Sequence, residues 1–253
     1  MAPLPLPPLV MTMTKTTRGL ATAAAALPLS ASRLQIRVAD ASLRRSPPTD
    51  LGKVKFGTVF TDHMLTGDWS AAQGGWGAPA ITPLEPLRLH PASCALHYAV
   101  QCFEGLKAYR GARGEVRLFR PDMNGRRLAN SMKRLKLPSI DESEFVELIK
   151  ALVKVDERWV PSADGSSLYI RPTVIGNSEF LGVAPAEAAK FFVIACPVGA
   201  YYATGFKPVN LLAETQYVRA WPGGTGAFKL GANYAVGLGP QAEAQRKGFN
   251  QVL

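Results

Sequence analysis

The chain has 253 residues, 47% of them hydrophobic, and a formal net charge of +10. That length and composition support a substantial core, in one large domain or two smaller ones, and exclude general disorder. The positive charge does not indicate a nucleic-acid binder: residues 1–50 hold six Lys/Arg against two Asp/Glu, the rest 23 against 17, and no basic run is interleaved with aromatics.

Residues 1–39 contain no Asp or Glu, carry Lys15, Arg18, Arg33 and Arg37, and are rich in Thr, Ser and Ala. This is the composition of an organelle-targeting leader, with a disordered tail as the alternative. Pro3, Pro5, Pro7 and Pro8 break an amphipathic helix at the very start, which makes Met11 or Met13 a candidate first residue. We assign residues 1–32 to the leader, and Arg44 to Gly52 reads as an extended linker. From Val54 to Leu65 apolar and β-branched residues predict a strand continuing towards Trp69. Gly74, Gly75 and Pro79 mark loops before another extended piece, and Ala95–Phe103 is expected as a short helix. Leu106–Tyr109 and Val116–Phe119 form a hairpin across Gly111 and Gly114, and Pro121 opens a helix that ends near Leu137-Pro138.

Asp141 and Glu144 stand at capping-box spacing before a second helix, whose buried face is Phe145, Leu148, Ile149, Leu152, Val155 and Trp159. Ser167–Gly176 and Lys190–Val198 read as strands, the second apolar enough to be central. Composition shifts at 199–208, which we take as an interdomain loop between a small domain at 33–198 and the start of a larger one at 209–253. Asn233 to Lys247 is a helix interrupted by Gly237, Gly239 and Pro240, Gly248 ends it, and Gln251 to Leu253 opens another strand. Cys94, Cys102 and Cys196 have neither pairing nor metal spacing and read as buried thiols, while His63, His90 and His97 read as structural. No apolar run approaches the ~20 residues of a membrane span, so a soluble protein is expected.

Chemistry concentrates at Val218–Tyr234, V-R-A-W-P-G-G-T-G-A-F-K-L-G-A-N-Y, where Lys229 stands between Phe228 and Leu230 after a glycine-rich loop. In apolar surroundings an ammonium loses solvation, which favours the neutral amine able to form a Schiff base with an aldehyde. The alternative is a strand lysine whose stem covers apolar surface while its head reaches water.

This run, with F-G-T-V-F-T-D-H-M-L from Phe56, L-H-P-A-S at Leu89, F-E-G-L-K-A-Y from Phe103 and S-L-Y-I-R-P from Ser167, resembles branched-chain amino acid aminotransferases of the mitochondrial type. The matches keep one order over some four-fifths of the chain. The resemblance implies an α/β protein of pyridoxal-phosphate fold type IV, with a small N-terminal α/β domain and the beginning of a larger α/β domain. It implies pyridoxal 5'-phosphate as cofactor and amino-group exchange between leucine, isoleucine or valine and 2-oxoglutarate.

On the same resemblance Lys229 carries the cofactor and moves the substrate's Cα proton. Arg127 grips the phosphate, although Gly125 and Arg126 depart from the family pattern and leave open which of the adjacent arginines does so. Arg219 is a second basic residue near the phosphate, with a loop ion pair as the alternative. Tyr234 bonds the cofactor's ring oxygen. Phe56, Tyr98, Phe103 and Tyr169 form aromatic substrate walls, and Arg171 meets glutamate's distal carboxylate; each aromatic taken singly is equally a core residue. Leu181 and Val183 reach a neighbouring subunit's pocket, implying a homodimer with small-molecule substrates and no nucleic-acid or membrane partner.

The family's second domain continues beyond Leu253, where it supplies the acid for the pyridine nitrogen and the rest of the phosphate cup. The chain as written is therefore expected to be inactive or nearly so. Its location is the mitochondrial matrix if the leader works, and the cytoplasm if it does not. Competing readings are a non-catalytic form pairing with full-length subunits, and a D-amino acid transaminase or aminodeoxychorismate lyase; L-H-P-A-S and V-R-A-W-P-G-G argue against the last two.

Overall fold

The computed structural model describes residues 26–199 and 208–253. Its framework is a curled sheet of nine strands: β1 (Gln35–Ile36), β2 (His63–Ser70), β3 (Gly75–Trp76), β4 (Ala80–Pro83), β5 (Gln101–Phe103), β6 (Leu106–Arg110), β7 (Val116–Leu118), β8 (Ser167–Gly176) and β9 (Ala188–Val198). The order is β1-β4-β2-β9-β8-β6-β7, with β3 beside β2 and β5 beside β8. Only β1 and β4 run parallel in this sheet. The long antiparallel pair β8 and β9 is its spine, as the apolar run at Lys190–Val198 requires.

Alternation along β8 separates two faces. Leu168, Ile170 and Val174 are fully buried, whereas Tyr169, Arg171 and Thr173 lie on the other face and are half-buried. The first face is covered by α2 (Pro121–Arg134) and α3 (Glu142–Val155), whose Leu128, Met132, Phe145, Leu148, Ile149 and Leu152 join the strand residues in one core. Burying a side chain such as Phe145 or Leu148 in this way contributes about 1.5–3 kcal/mol each. Pro121 sits in the first turn of α2, and Asp141 caps α3 by accepting from the N–H groups of Ser143 and Glu144.

Several local expectations give way to long-range pairing. The strand expected from Val54 begins only at His63, because Leu51–Lys53 is a 3-10 turn and residues 54–60 are turns without a partner strand. The helix expected over Ala95–Phe103 is α1, Cys94–Tyr98; Ala99 takes a left-handed conformation with φ 51°, which releases β5 to pair with β8. Trp159 is buried from a separate 3-10 turn rather than from α3. The reciprocal half of the capping box is absent: the Glu144 carboxylate accepts instead from the Ala31 N–H at 2.5 Å.

That bond belongs to a larger contact. Residues 26–32, assigned above to the leader, pack into the body. Leu29 is 1% exposed over Gly67 and beside Trp76, and Leu27 exchanges backbone hydrogen bonds with Gly74 and Trp76. Gly75, at φ +131°, has the Leu27 backbone where any side chain would stand. Further along, Ala39 donates to His63 Nε2 at 2.9 Å, which leaves the proton on Nδ1 to bond Asp156 at 2.6 Å. His63 is thus structural.

Residues 200–207 of the expected interdomain loop lie outside the described residues. Beyond them β10 (Leu211–Leu212) pairs in parallel with β11 (Gln251–Val252), and the interrupted helix resolves into α4 (Ala232–Ala235) and α5 (Leu238–Arg246). Gly248, at φ +83°, ends α5. Among the described residues no helix is long and apolar enough to cross a membrane, and no group of His, Cys, Asp and Glu is placed to hold a metal ion.

Candidate active site

The side chains that matter converge on the sheet face opposite α2 and α3. Register places them there: Phe103 pairs with Thr173 and Lys107 with Tyr169, so Phe103, Tyr169 and Arg171 share one face. Arg171 lies 4.6 Å from the Phe103 ring centroid and donates from Nη2 to the Tyr169 hydroxyl at 3.0 Å. Phe56, from the turn before β2, packs edge-on against Tyr169 with centroids 5.1 Å apart.

Lys229 completes this row. The segment that carries it lies beside β5: Phe103 N–H donates to Lys229 O at 3.1 Å, Gly231 N–H donates to Gln101 O at 3.1 Å, and Leu230 bridges Cys102. From the α2 side, buried Ser131 accepts the Lys229 N–H at 3.0 Å. Asn233, 4% exposed, donates to the carbonyls of Thr225 and Phe228 and accepts from the Thr225 hydroxyl, which folds the glycine-rich loop back onto α4.

Held this way, Lys229 Nζ donates to the Tyr234 hydroxyl at 2.6 Å and stands 4.5 Å from the Phe103 centroid and 4.9 Å from that of Tyr234. The Phe103 ring attracts the ammonium through its quadrupole. The amine is thus not enclosed by Phe228 and Leu230, as the sequence suggested. Leu230 turns into the core, Phe228 packs on the core's edge, and the lysine between them reaches a half-buried aromatic setting.

The two adjacent arginines part company. Arg126 is 3.5 Å from Glu142 on α3, whereas Arg127 makes a two-point pair with Glu104 at 2.6 and 2.7 Å. That pair raises the Arg127 guanidinium above its ordinary value, despite some burial, and keeps it charged. Beside it opens a groove of about 540 Å³ lined by Lys107, Arg120, Asn124, Arg127 and Tyr169 among others. Gly105 shapes the floor, since a Cβ there would collide with the Tyr169 ring.

Not every expected residue joins this cluster. Tyr98 donates to the Leu181 carbonyl, and Leu181 and Val183 are 61% and 84% exposed. Arg219 is exposed and makes no ion pair among the described residues. The sequence reading missed Glu104, Ser131 and Asn233. Glu104 carried a signal, an acid within an apolar run and before a glycine; Ser131 lies one helical turn after Arg127.

Cys102 lies behind Phe103 and Cys196 opposite Tyr169 in register, and both thiols are buried. Burial and then the charge of Glu104 push Cys102 up to about 12, and burial also raises Cys196. Neither thiol is poised as a nucleophile.

The curled α/β sheet thus presents a lysine amine beside a phenol, stacked aromatics and Arg171. The amino-transferase class IV family matches residues 101–253, and the chain belongs to that family. It is 52% identical over 205 residues to a branched-chain-amino-acid aminotransferase of Dictyostelium discoideum, covering 81% of this chain and 54% of that one. It is 48% identical to a mitochondrial form from Rattus norvegicus, covering 88% and 56%, and 46% identical to a cytosolic form from Caenorhabditis elegans, covering 87% and 53%. The chain therefore spans about half the length of the curated relatives it matches. Among solved structures, a T.th. branched-chain amino acid aminotransferase with pyridoxamine 5'-phosphate superposes with a TM-score of 0.57 at 28% identity, over 74% of this chain and 58% of that one.

Proposed function

We propose that the protein exchanges amino groups between branched-chain amino acids and 2-oxoglutarate with pyridoxal 5'-phosphate as cofactor. The observation that carries the reading is the Lys229 amine on the Tyr234 phenol at 2.6 Å, in one row with Phe103, Arg171 and Tyr169. The donor set fits a phosphorylated aldehyde: a primary amine for the carbonyl carbon, a phenol beside it, and a charged planar fork at Arg127 for the phosphate. Lys229, Tyr234 and Arg127 would hold that group, with Arg219 as a further phosphate ligand.

Bound there, pyridoxal 5'-phosphate supplies the electron sink that makes a substrate's Cα–H acidic. The protein's part is positioning and proton handling. Lys229 Nζ takes the Cα proton of the amino acid, and the Tyr234 hydroxyl fixes where Nζ stands while it does so. Phe56, Phe103 and Tyr169 present an apolar wall to a branched aliphatic side chain. Arg171, stacked on Phe103, gives the distal carboxylate of glutamate a cation without opening that wall to water.

Exposed Leu181 and Val183 are available to a second copy, which supports a homodimer; sedimentation of a monomer at micromolar concentration would remove that element. The acid-free, basic N-terminus supports residence in the mitochondrial matrix, which import of a fluorescent fusion would test. For the main reading, the chain is loaded with pyridoxal 5'-phosphate, reduced with borohydride, digested and mapped. Label on Lys229 is the expected result. Label confined to other lysines would refute it.

A further inference from the structure

We propose that Glu104 is the positioning residue that aims the Arg127 guanidinium at a phosphate monoester, an inference that rests on the reading of Arg127 as phosphate ligand. Glu104 is fully buried, and four donors converge on its carboxylate. Oε1 accepts from Arg127 Nε at 2.6 Å; Oε2 accepts from Arg127 Nη2 at 2.7 Å, Asn124 Nδ2 at 2.7 Å and the Gly105 N–H at 3.1 Å. A carboxylate so saturated has one orientation.

Its effect on the arginine follows from the donor inventory. A guanidinium has five N–H groups, and the side-on pair uses Nε–H and one of those on Nη2. Both protons of Nη1 and the second of Nη2 remain, so the adjacent end-on edge of Nη1 and Nη2 is unused by this pair. The Arg127 side chain is half exposed while Glu104 is not exposed at all, so the occupied edge is the inner one and the unused edge faces outward, where the groove beside Asn124 and Tyr169 opens. A phosphate dianion thus meets a fork whose direction is already fixed, and the ordering of a long side chain is not charged to binding.

The placement of Glu104 shows why this matters beyond an ordinary ion pair. It directly follows Phe103, whose N–H holds the Lys229 carbonyl and whose ring underlies Nζ. On the facing helix, Arg127 and Ser131 are one turn apart, and Ser131 holds the Lys229 N–H. Amine and guanidinium are therefore referenced to each other through the same Phe103-Glu104 dipeptide and the same turn of α2. A ligand with an aldehyde at one end and a phosphate at the other needs that fixed separation.

The alternative for a buried acid beside an anion site is plain charge neutralisation, and the two roles predict opposite signs. If Glu104 only cancelled the charge of Arg127, removing its charge would tighten phosphate binding. If it aims the fork, Glu104→Gln weakens binding, because an amide N–H then faces an arginine N–H and the guanidinium turns away.

The test is a parallel titration of the chain with pyridoxal 5'-phosphate and with pyridoxal, which lacks the phosphate. The affinity ratio of the two reads the phosphate contribution alone. Glu104→Gln is expected to lower the ratio by about ten- to a hundredfold, the range for a hydrogen bond to a charged group, with pyridoxal binding unchanged. In an Arg127→Lys background, where no fork remains to be aimed, the same substitution is expected to have no further effect. An unchanged or increased ratio in Glu104→Gln overturns the proposal. If that variant does not fold, Asn124→Ala frees one lone pair of Glu104 from the half-buried side of α2 and should lower the ratio about threefold, a hydrogen bond's net worth; no change there overturns it equally. A wild-type chain that binds both probes alike would instead refute the phosphate reading itself.

Discussion

Ser131→Ala cuts the tie between α2 and the lysine segment without touching a charge. The Ser131 hydroxyl is fully buried and accepts the Lys229 N–H at 3.0 Å. Without it that donor has no protein acceptor and no ready access to water, a cost of about 1–3 kcal/mol. For a chain of this size each kcal/mol lowers the melting temperature by about 2–4 °C. The segment can relieve part of the cost by moving away from α2, and Nζ then shifts relative to Tyr234 and Phe103. Whatever fraction is relieved in that way appears as weaker binding of pyridoxal 5'-phosphate, about tenfold for each 1.4 kcal/mol. Differential scanning fluorimetry reads the first quantity and an absorbance titration the second. A variant that melts and titrates like its parent would show that the Phe103 and Gln101 backbone bonds alone hold the lysine, and would refute a holding role for Ser131.

Tyr234→Phe removes the hydroxyl that receives Nζ in an exposed contact, at a cost of about 0.5–1.5 kcal/mol, and should slow borohydride labelling of Lys229 while leaving the melting temperature within a few degrees. Leu29→Ala should destabilise the chain by about 2–5 kcal/mol in urea unfolding, because Leu29 fills the space above Gly67. No change in the midpoint would refute a packing role for Leu29. Cys94, Cys102 and Cys196 should all resist a thiol reagent at pH 8 in the native chain and react once it is unfolded, since all are buried and Cys102 is pushed up to about 12. Burial raises the Asp62 carboxyl, but bonds from Trp159, the Arg45 N–H and Arg158 outweigh it, and the net value lies below the ordinary 3.8. A depressed carboxyl contributes its stability fully above its unfolded value and loses it as pH falls through the folded one. Asp62→Asn should therefore flatten the stability profile below about pH 4, measured by chemical denaturation at a series of pH values.

What the sequence alone determined are the elements whose cause is local. Pro121 and Asp141 mark helix starts in the first turn, the apolar spacing of Phe145, Leu148, Ile149 and Leu152 selects one face of α3, and the Ser167–Gly176 run gives β8 to the residue. The run Val218–Tyr234 stands out in the sequence too, because a motif is a property of neighbours along the chain.

Tertiary structure decided what depends on partners far away in sequence. The residues from Val54 look like a strand but find no neighbour, while Gln101–Phe103 becomes one because β8 offers an edge. Glu144 had the spacing for a capping box and went instead to Ala31, 113 positions away. Two adjacent arginines carry the same chemistry in the sequence, and only packing of α2 between Glu104 and α3 paired Arg127 with the buried acid and Arg126 with Glu142. Hydrogen-bond partners and directions are set by three-dimensional proximity, which residue type and spacing do not encode.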